Sequence, residues 1–368
     1  MENDNPRLAA STPMHGMSAA ANLPPITFVH RDISTWLDVA ADSGRNISDR
    51  ELGPRLKLGR EIWIVQTFQR LRARGFAVRL DGVTAENSIN FLHADDLVEQ
   101  SPPASHFVVC VRADRDPCFM ANLEVVQNRG CIWKANDLYI PHWPQPAVLP
   151  RLSARRDSLR RIVYMGKDAN LDSELRSDGF RSMIRELGME LVLRGERWWD
   201  YTDVDAVLAV RSGARLYLDA KPASKLVNAW YGECPAIVGR ERGYREVRKG
   251  PLDFLECRDA ADVLGALAHL RDRPDLYRAM VENGRTRRVE FSQEAVGDHW
   301  VDAIQVVVAP AFRKWRAGGG ARSKAEIKLA KARQRVWGTR LVQEVQPLPR
   351  RALNWGRRAV TLPRSVLR

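Results

Sequence analysis

Apolar residues fall along this chain in two successive series of short runs and longer periodic stretches. The first run, PITFVH at 25–30, follows a proline and predicts a buried strand. A polar connection leads to GREIWIVQTFQRLRARG. There Ile62, Val65, Phe68 and Leu71 recur every three residues, and Trp63 and Ile64 widen the stripe, which predicts a sheet-packed helix closed by Gly75. FAVRL (76–80), INFLH (89–93) and HFVVCVRAD (106–114) predict further strands. Strand, helix, strand in that order marks a parallel sheet covered by helices.

The pattern then breaks and restarts. DLYIPHWPQPAVLPR carries prolines at 141, 144, 146 and 150, a spacing that excludes helix interior and central strand and predicts a stiff, extended connection. After it, RRIVYMGK (160–167) predicts a strand ending in Gly-Lys, LDSELRSDGFRSMIRELG an amphipathic helix, and MELVLRG and VDAVLAVR two more strands. PAIVG and DFLEC read as strands, DAADVLGALAHL and PDLYRAMVENG as helices, and SQEAVGDHWVDAIQVVVAPAFRKW as a long closing helix capped by Ser292. The predicted fold class is therefore α/β, two Rossmann-like domains facing a cleft. The expected divisions are a disordered leader (1–23), an N-terminal Rossmann-like domain (24–140), a proline-rich hinge (141–150), a C-terminal Rossmann-like domain with the closing helix (151–315) and a basic tail (316–368).

Composition and charge add three constraints to this picture. No apolar run approaches the ~20 residues of a membrane span, and the N-terminal stretch has no signal-peptide h-region. Five cysteines with no C-x-x-C pair indicate neither a zinc site nor a disulfide framework and suit a reducing, cytoplasmic setting. The net charge of +13 is concentrated, since 316–368 holds fourteen Lys or Arg against two Glu. The body is nearly neutral, so what the body does and what the tail touches are separate questions.

The densest chemistry lies in KPASKLVNAWYGECPAIVG (221–239). Lys221 and Lys225 stand one turn apart at a helix start, where cations oppose the macrodipole by roughly 0.3 to 1 kcal/mol. A bound anion would offset that cost, with Ser224 and the free N–H groups of the first turn as donors, and Pro222 suits the first turn. Solvated surface lysines are the plainer reading of the same spacing. A second phosphate-type turn stands at YMGKDANL, where Gly166 ends a strand and Lys167 and Asn170 could donate to a ligand. Two such turns at strand C-terminal ends in one domain reinforce each other.

The stretch KPASKLVNAWYGECPAIVGRERGYREV, preceded by YMGKDANL and followed by RDRPDLYRAMVENGR, resembles the nucleotide-sugar half of two-Rossmann-domain (GT-B) glycosyltransferases, notably their bacterial family 4-like group. The resemblance covers 162–284 closely and the first domain only as a general pattern. It implies a nucleotide-sugar donor, a glycan or lipid-linked acceptor, and no cofactor beyond that co-substrate. It departs from the family at Ala220 and Asn228, where two glutamates usually stand, so the stereochemical course does not carry over. Lys221, Pro222 and Lys225 are similar to a branch in which lysines face the diphosphate.

On this reading Lys225 and Asp114 are the expected catalytic residues, and Gly166, Lys167, Asn170, Lys221, Ser224, Lys225, Tyr244 and Glu246 the expected donor-binding ones. Asp114 and Asp116 follow a first-domain strand and should face the cleft. A carboxylate or histidine there could take the acceptor's proton, with His30, His93, Asp95 and Asp96 as the other candidates. Trp198, Trp199 and Tyr201 could stack a nucleobase, although core packing accounts for them more simply. No metal is expected, and the Asp203–Asp205 DVD is read as a turn. For the tail, a solvated segment and an anionic membrane surface both stay open. Nucleic acid ranks last, because no helix-turn-helix, zinc-finger or RNP signature is present. The rival readings are a non-catalytic α/β binding protein attached to membrane or nucleic acid by its tail, and a nucleotide-sugar epimerase of the same fold.

Overall fold

A computed structural model describes residues 23–41 and 47–345, with the backbone alone for 338–345; the proposed leader up to 22 and the tail from 346 onward lie outside the described residues. Among the described residues eleven strands form two wholly parallel sheets. The first contains β1 (Ile26–Val29), β2 (Val78–Asp81), β3 (Ile89–His93), β4 (Phe107–Ala113), β5 (Leu123–Val126) and β6 (Asp137–Tyr139), in the order β2-β1-β3-β4-β5-β6. The second contains β7 (Arg161–Met165), β8 (Glu190–Arg194), β9 (Ala206–Ala209), β10 (Ala236–Val238) and β11 (Leu255–Glu256), in the order β11-β10-β9-β7-β8. β1, β3, β4, β5, β9 and β10 are buried along their whole length, as parallel strands covered on both faces must be.

The strand orders locate the crevices. In each sheet the chain builds to one side of its first strand and then crosses to the other, giving switch points between β1 and β3 and between β7 and β9. Ligands of open parallel sheets bind outside the carboxyl ends of the strands at such points. The residues that follow are His30 after β1, His93 at the end of β3, Gly166 after β7 and Val210-Arg211 after β9.

Three features depart from the sequence expectation. β5 and β6 emerge from a stretch not read as strand, because LEVV carries Glu124 and DLY runs into the prolines. Glu124 is fully buried, paired with Arg112 at 3.4 Å and with Lys134. The helix expected over LDSELRSDGFRSMIRELG is confined to Asp178–Glu186, where Ser177 Oγ accepts from Phe180 N at 3.1 Å, with single 3-10 turns before it.

The third departure concerns the closing helix. Assigned to the second domain from sequence, its segments Gln293–Asp302, Ala303–Val308 and Ala309–Ala317 pack into the core of the first. Val296, Trp300, Ile304, Val308 and Phe312, four residues apart, form one stripe. Trp300 meets Phe91 at 5.6 Å and Phe28 at 6.4 Å between ring centroids, and Phe312 meets Phe107 at 5.4 Å. Burying each such ring contributes about 2–3 kcal/mol, so the chain ends its second sheet and returns to complete the first domain.

The first part of the tail is ordered. The helix Lys324–Val345 lies against the first domain, with Gln334 accepting from Phe119 N at 3.0 Å and donating to Pro117 O at 2.9 Å. Trp337 packs at 4.9 Å on Trp133, which also carries the buried Arg112 guanidinium at 4.5 Å. All five cysteines are buried free thiols. Among the described residues no helix is long and apolar enough to cross a membrane.

Candidate functional site

A cleft of about 610 Å³ opens between the two domains, lined from the first by His93, Asp114, Arg115, Gln127 and Trp143, and from the second by Gly166, Lys167, Asn170, Lys221, Ser224 and Lys225. Seven of the nine expected site residues therefore converge there. Tyr244 and Glu246 do not. Tyr244 is fully buried in the second domain's core beside Phe254, and burial pushes its hydroxyl's pKa up. Glu246 accepts from the backbone N–H groups of Arg129 and Gly130, both at 2.7 Å, and so joins the two domains instead of facing a ligand.

The two lysines are placed differently from the expectation of a shared helical face. The helix Ser224–Tyr231 begins after Lys221, which instead closes the preceding short helix Arg215–Asp219 through Lys221 N to Leu218 O at 3.1 Å. Its ammonium crosses the cleft to Asp114 Oδ2 at 2.5 Å and lies 4.0 Å from the centroid of the Tyr217 ring. Lys225 turns inward, donates to Met165 O at the end of β7, and sits 5.0 Å from the Tyr164 ring centroid. Burial, then Arg211 nearby, lowers its pKa to about 7.

Gly166 makes that position possible. Its φ is +144°, and a Cβ there would lie 2.9 Å from Lys225 Nζ. Two charged groups that carry no signal in the sequence complete the environment. Arg211, just past β9, pairs with Glu241 at 3.3 Å. Burial opposes its charge, but Tyr244, Glu241 and Tyr164 together outweigh burial and raise its pKa. Glu241 Oε2 and the Tyr164 hydroxyl are buried without a hydrogen-bond partner. Arg211 is hard to find in sequence, because VLAVRS looks like a strand end with one surface arginine; only the crossover from β7 to β9 places it at the switch point.

Asp114 reaches the cleft through a local distortion. The β4–β5 register shifts between Val111 and Ala113, and Ala113 adopts φ +52°, a left-handed conformation costing about 1–2 kcal/mol for a non-glycine residue. Burial disfavours the Asp114 carboxylate, but Lys221 and Arg115 outweigh it and hold the pKa below the ordinary value. His93 stands nearby with Nδ1 accepting from Asp95 N at 3.2 Å and Nε2 buried and unpaired. Burial lowers its pKa to about 4.

The other acid–base candidates are spent elsewhere. Asp95 is held by Arg115 at 2.7 Å, Asp96 is buried beside Arg31 and Arg60, and His30 and Asp116 do not line the cleft. Asp203 pairs with Arg161 and Arg194, and Asp205 with Arg151 and Arg155, so the DVD is structural. Trp198 and Tyr201 line the cleft whereas Trp199 does not. Tyr201 also packs on Gly232, where a Cβ would lie 2.3 Å from its ring.

A second concavity of about 860 Å³ lies outside β9–β11, lined by six arginines including Arg211, Arg215 and Arg240. Five carboxylates pair with them, Glu256 being shared by Arg240 and Arg245, so most of the wall's positive charge is compensated.

No family model matches the chain, and no curated protein sequence does. Among solved structures, it is similar to AviGT4, a glycosyltransferase involved in avilamycin A biosynthesis, over 78% of this chain and 98% of that one, at 14% identity and a TM-score of 0.53. It is also similar to sucrose-phosphate synthase from Thermosynechococcus elongatus (69% and 94% covered, 13% identity, TM-score 0.47) and to TarM (59% and 55%, 9%, 0.43). The chain thus spans about half the length of TarM. The likeness to AviGT4, together with the two parallel sheets and the cleft at their carboxyl ends, establishes the fold as GT-B.

Proposed function

We propose that the chain transfers a sugar from a nucleoside-diphosphate donor to a glycan or lipid-linked acceptor, without a metal. One observation carries this reading: Lys221, Lys225, Ser224 and Gly166-Lys167 converge at the β7/β9 switch point, and a carboxylate from the other domain faces them. As the bond from the sugar's C1 to the phosphate oxygen breaks, the electron pair stays on the nucleoside diphosphate. Positioned cations lower that barrier most where water is excluded. Asp114 takes the proton of the acceptor hydroxyl as its oxygen bonds to C1. Lys221 serves both partners, holding Asp114 ionised before the donor binds and reaching toward the diphosphate afterwards. A metal-independent site of this kind, and a closer kinship with the family 4-like group, are part of the same proposal.

Association with an anionic membrane surface belongs with this reading. It is supported by the exposed Lys324, Lys328, Lys331 and Arg333 on the helix after 323, beside the half-exposed Leu329 and Val336. Co-sedimentation with vesicles containing anionic lipid, lost on Leu329→Glu, tests it. The function is tested by thermal stabilisation with UDP, GDP and ADP, followed by transfer assays with the matching sugar donors. Stabilisation by one nucleotide and acceptor-dependent donor consumption are expected. Donor turnover without an acceptor, into an isomeric nucleotide sugar, would make the chain an epimerase, and indifference to all nucleotides would favour a non-catalytic binding protein.

A further inference from the structure

The short helix Arg215–Asp219 ends in the segment that carries Lys221, and the last carbonyls of a helix have no partner within it. Here the partners come from the other domain. Gln127 and Asn128, buried just past β5, send their side-chain amides across the boundary. Gln127 Nε2 donates to Ala220 O at 2.8 Å, and Asn128 Nδ2 donates to Asp219 O at 2.9 Å and to Lys221 O at 2.8 Å. Two carbonyl acceptors fix the orientation of the Asn128 amide and use both of its protons. Glu246 returns the contact through Arg129 N and Gly130 N. Gly243 packs so closely on the same carbonyl that a Cβ there would lie 2.4 Å from Lys221 O and 3.3 Å from Asn128 Oδ1. The backbone of Lys221 is thus gripped by the first domain, while its ammonium reaches Asp114 of that same domain.

We propose that Asn128, with Gln127 beside it, is a positioning residue for transfer: its amide holds the 219–221 segment so that Lys221 is set against Asp114 only when the two domains are closed. Domain closure and assembly of the cation–carboxylate pair are then a single event, and an open cleft lacks both. This inference rests on the transferase reading for its consequence in turnover, but not for the coupling itself.

The test compares wild-type full chain with Asn128→Ala and, as a milder variant removing one bond of three, Gln127→Ala. The charged groups around Asp114 are Lys221 and Arg115, with the neutral His93 nearby and Asp95 behind Arg115. Two readouts are taken on protein of matched melting temperature: the titration of Asp114 in the nucleotide-free chain, followed by carboxyl carbon NMR against Asp114→Asn, and kcat with KM for the donor. We expect the Asp114 titration to move upward in Asn128→Ala and less in Gln127→Ala, with kcat falling about ten- to hundredfold. An Asp114 titration unchanged in both variants overturns the inference. A shifted titration in a chain that transfers no sugar in any form would keep the coupling and sink the transferase reading instead. Because Gln127→Ala leaves both Asn128 bonds in place, it covers the case in which Asn128→Ala does not fold.

Discussion

Asp114 and Lys221 come from different domains and meet at 2.5 Å across the cleft. Neither belongs to a surface pair in the ordinary sense, since the lysine is largely covered and the carboxylate about a quarter exposed. Pairing lowers the Asp114 pKa against the opposing effect of burial. A carboxyl whose folded pKa is depressed contributes stability above its unfolded pKa, and loses that contribution as pH falls through the folded one. The pair therefore supports the closed chain through the neutral range and fails only in acid.

Asp114→Asn keeps the shape of the side chain and removes its basicity. We expect transfer to fall by about 10²–10⁴, while nucleotide affinity changes little and the melting temperature drops by a few degrees at most. Isothermal titration with the preferred nucleotide and a turnover assay, run on the same preparation, separate these outcomes. Turnover within threefold of wild type would take Asp114 out of proton transfer.

Lys225 presents the opposite balance. Its pKa is lowered to about 7 from the ordinary 10.5, burial being the largest cause. The unfolded chain therefore binds more protons between about pH 7 and 10.5, and stability rises with pH across that window. Removing a desolvated charge relieves the cost of burying it, which offsets the lost bond to Met165 O. Lys225→Met is expected to melt at or above wild type at pH 7 and to lose nucleotide binding. A marked loss of stability with binding intact would show the lysine to be structural.

The same shift predicts how donor binding depends on pH. An incoming diphosphate favours the ammonium form, so binding takes up a proton wherever the unliganded lysine is neutral. Nucleotide affinity should fall above pH 7, by at most tenfold per unit. Calorimetry in two buffers of different ionisation enthalpy measures the proton uptake directly.

His93 and His30 are both buried, with pKa values lowered to about 4, burial first among the causes. They are neutral in the folded chain at pH 5, whereas the unfolded chain is protonated below its ordinary value near 6.5. Stability should decline as pH falls from 6.5 toward 4, and the slope should be shallower in His93→Asn. The limb of any activity profile between pH 6 and 8 should survive that substitution.

Most of the fold and the heart of the site are legible in the order of residues. The strand-and-helix alternation yields two Rossmann-like halves, and Gly166, Lys221 and Lys225 stand out only because two phosphate-type turns fall at strand C-terminal ends of one half and reinforce each other. What escapes reading depends on partners distant in sequence. Glu124 hides β5 because a buried carboxylate looks like a solvent-facing one until Arg112 and Lys134 are seen beside it. Arg211 and Glu241 are thirty residues apart and become a pair only when β9 and β10 lie side by side. Tyr244 and Glu246 are assigned to the donor by resemblance alone, and the short helix Arg242–Val247 turns one into the core and the other toward the first domain. The closing helix follows the second sheet in sequence, yet its apolar stripe fits the aromatic face of the first.

The most direct measurement is a crystal structure of the chain with the nucleoside diphosphate that stabilises it most. The β-phosphate is expected within hydrogen-bond distance of Lys225 and Lys221, over Gly166, with the Asp114 contact lengthened. A nucleotide bound outside the cleft, or a phosphate touching neither lysine, would contradict the proposal.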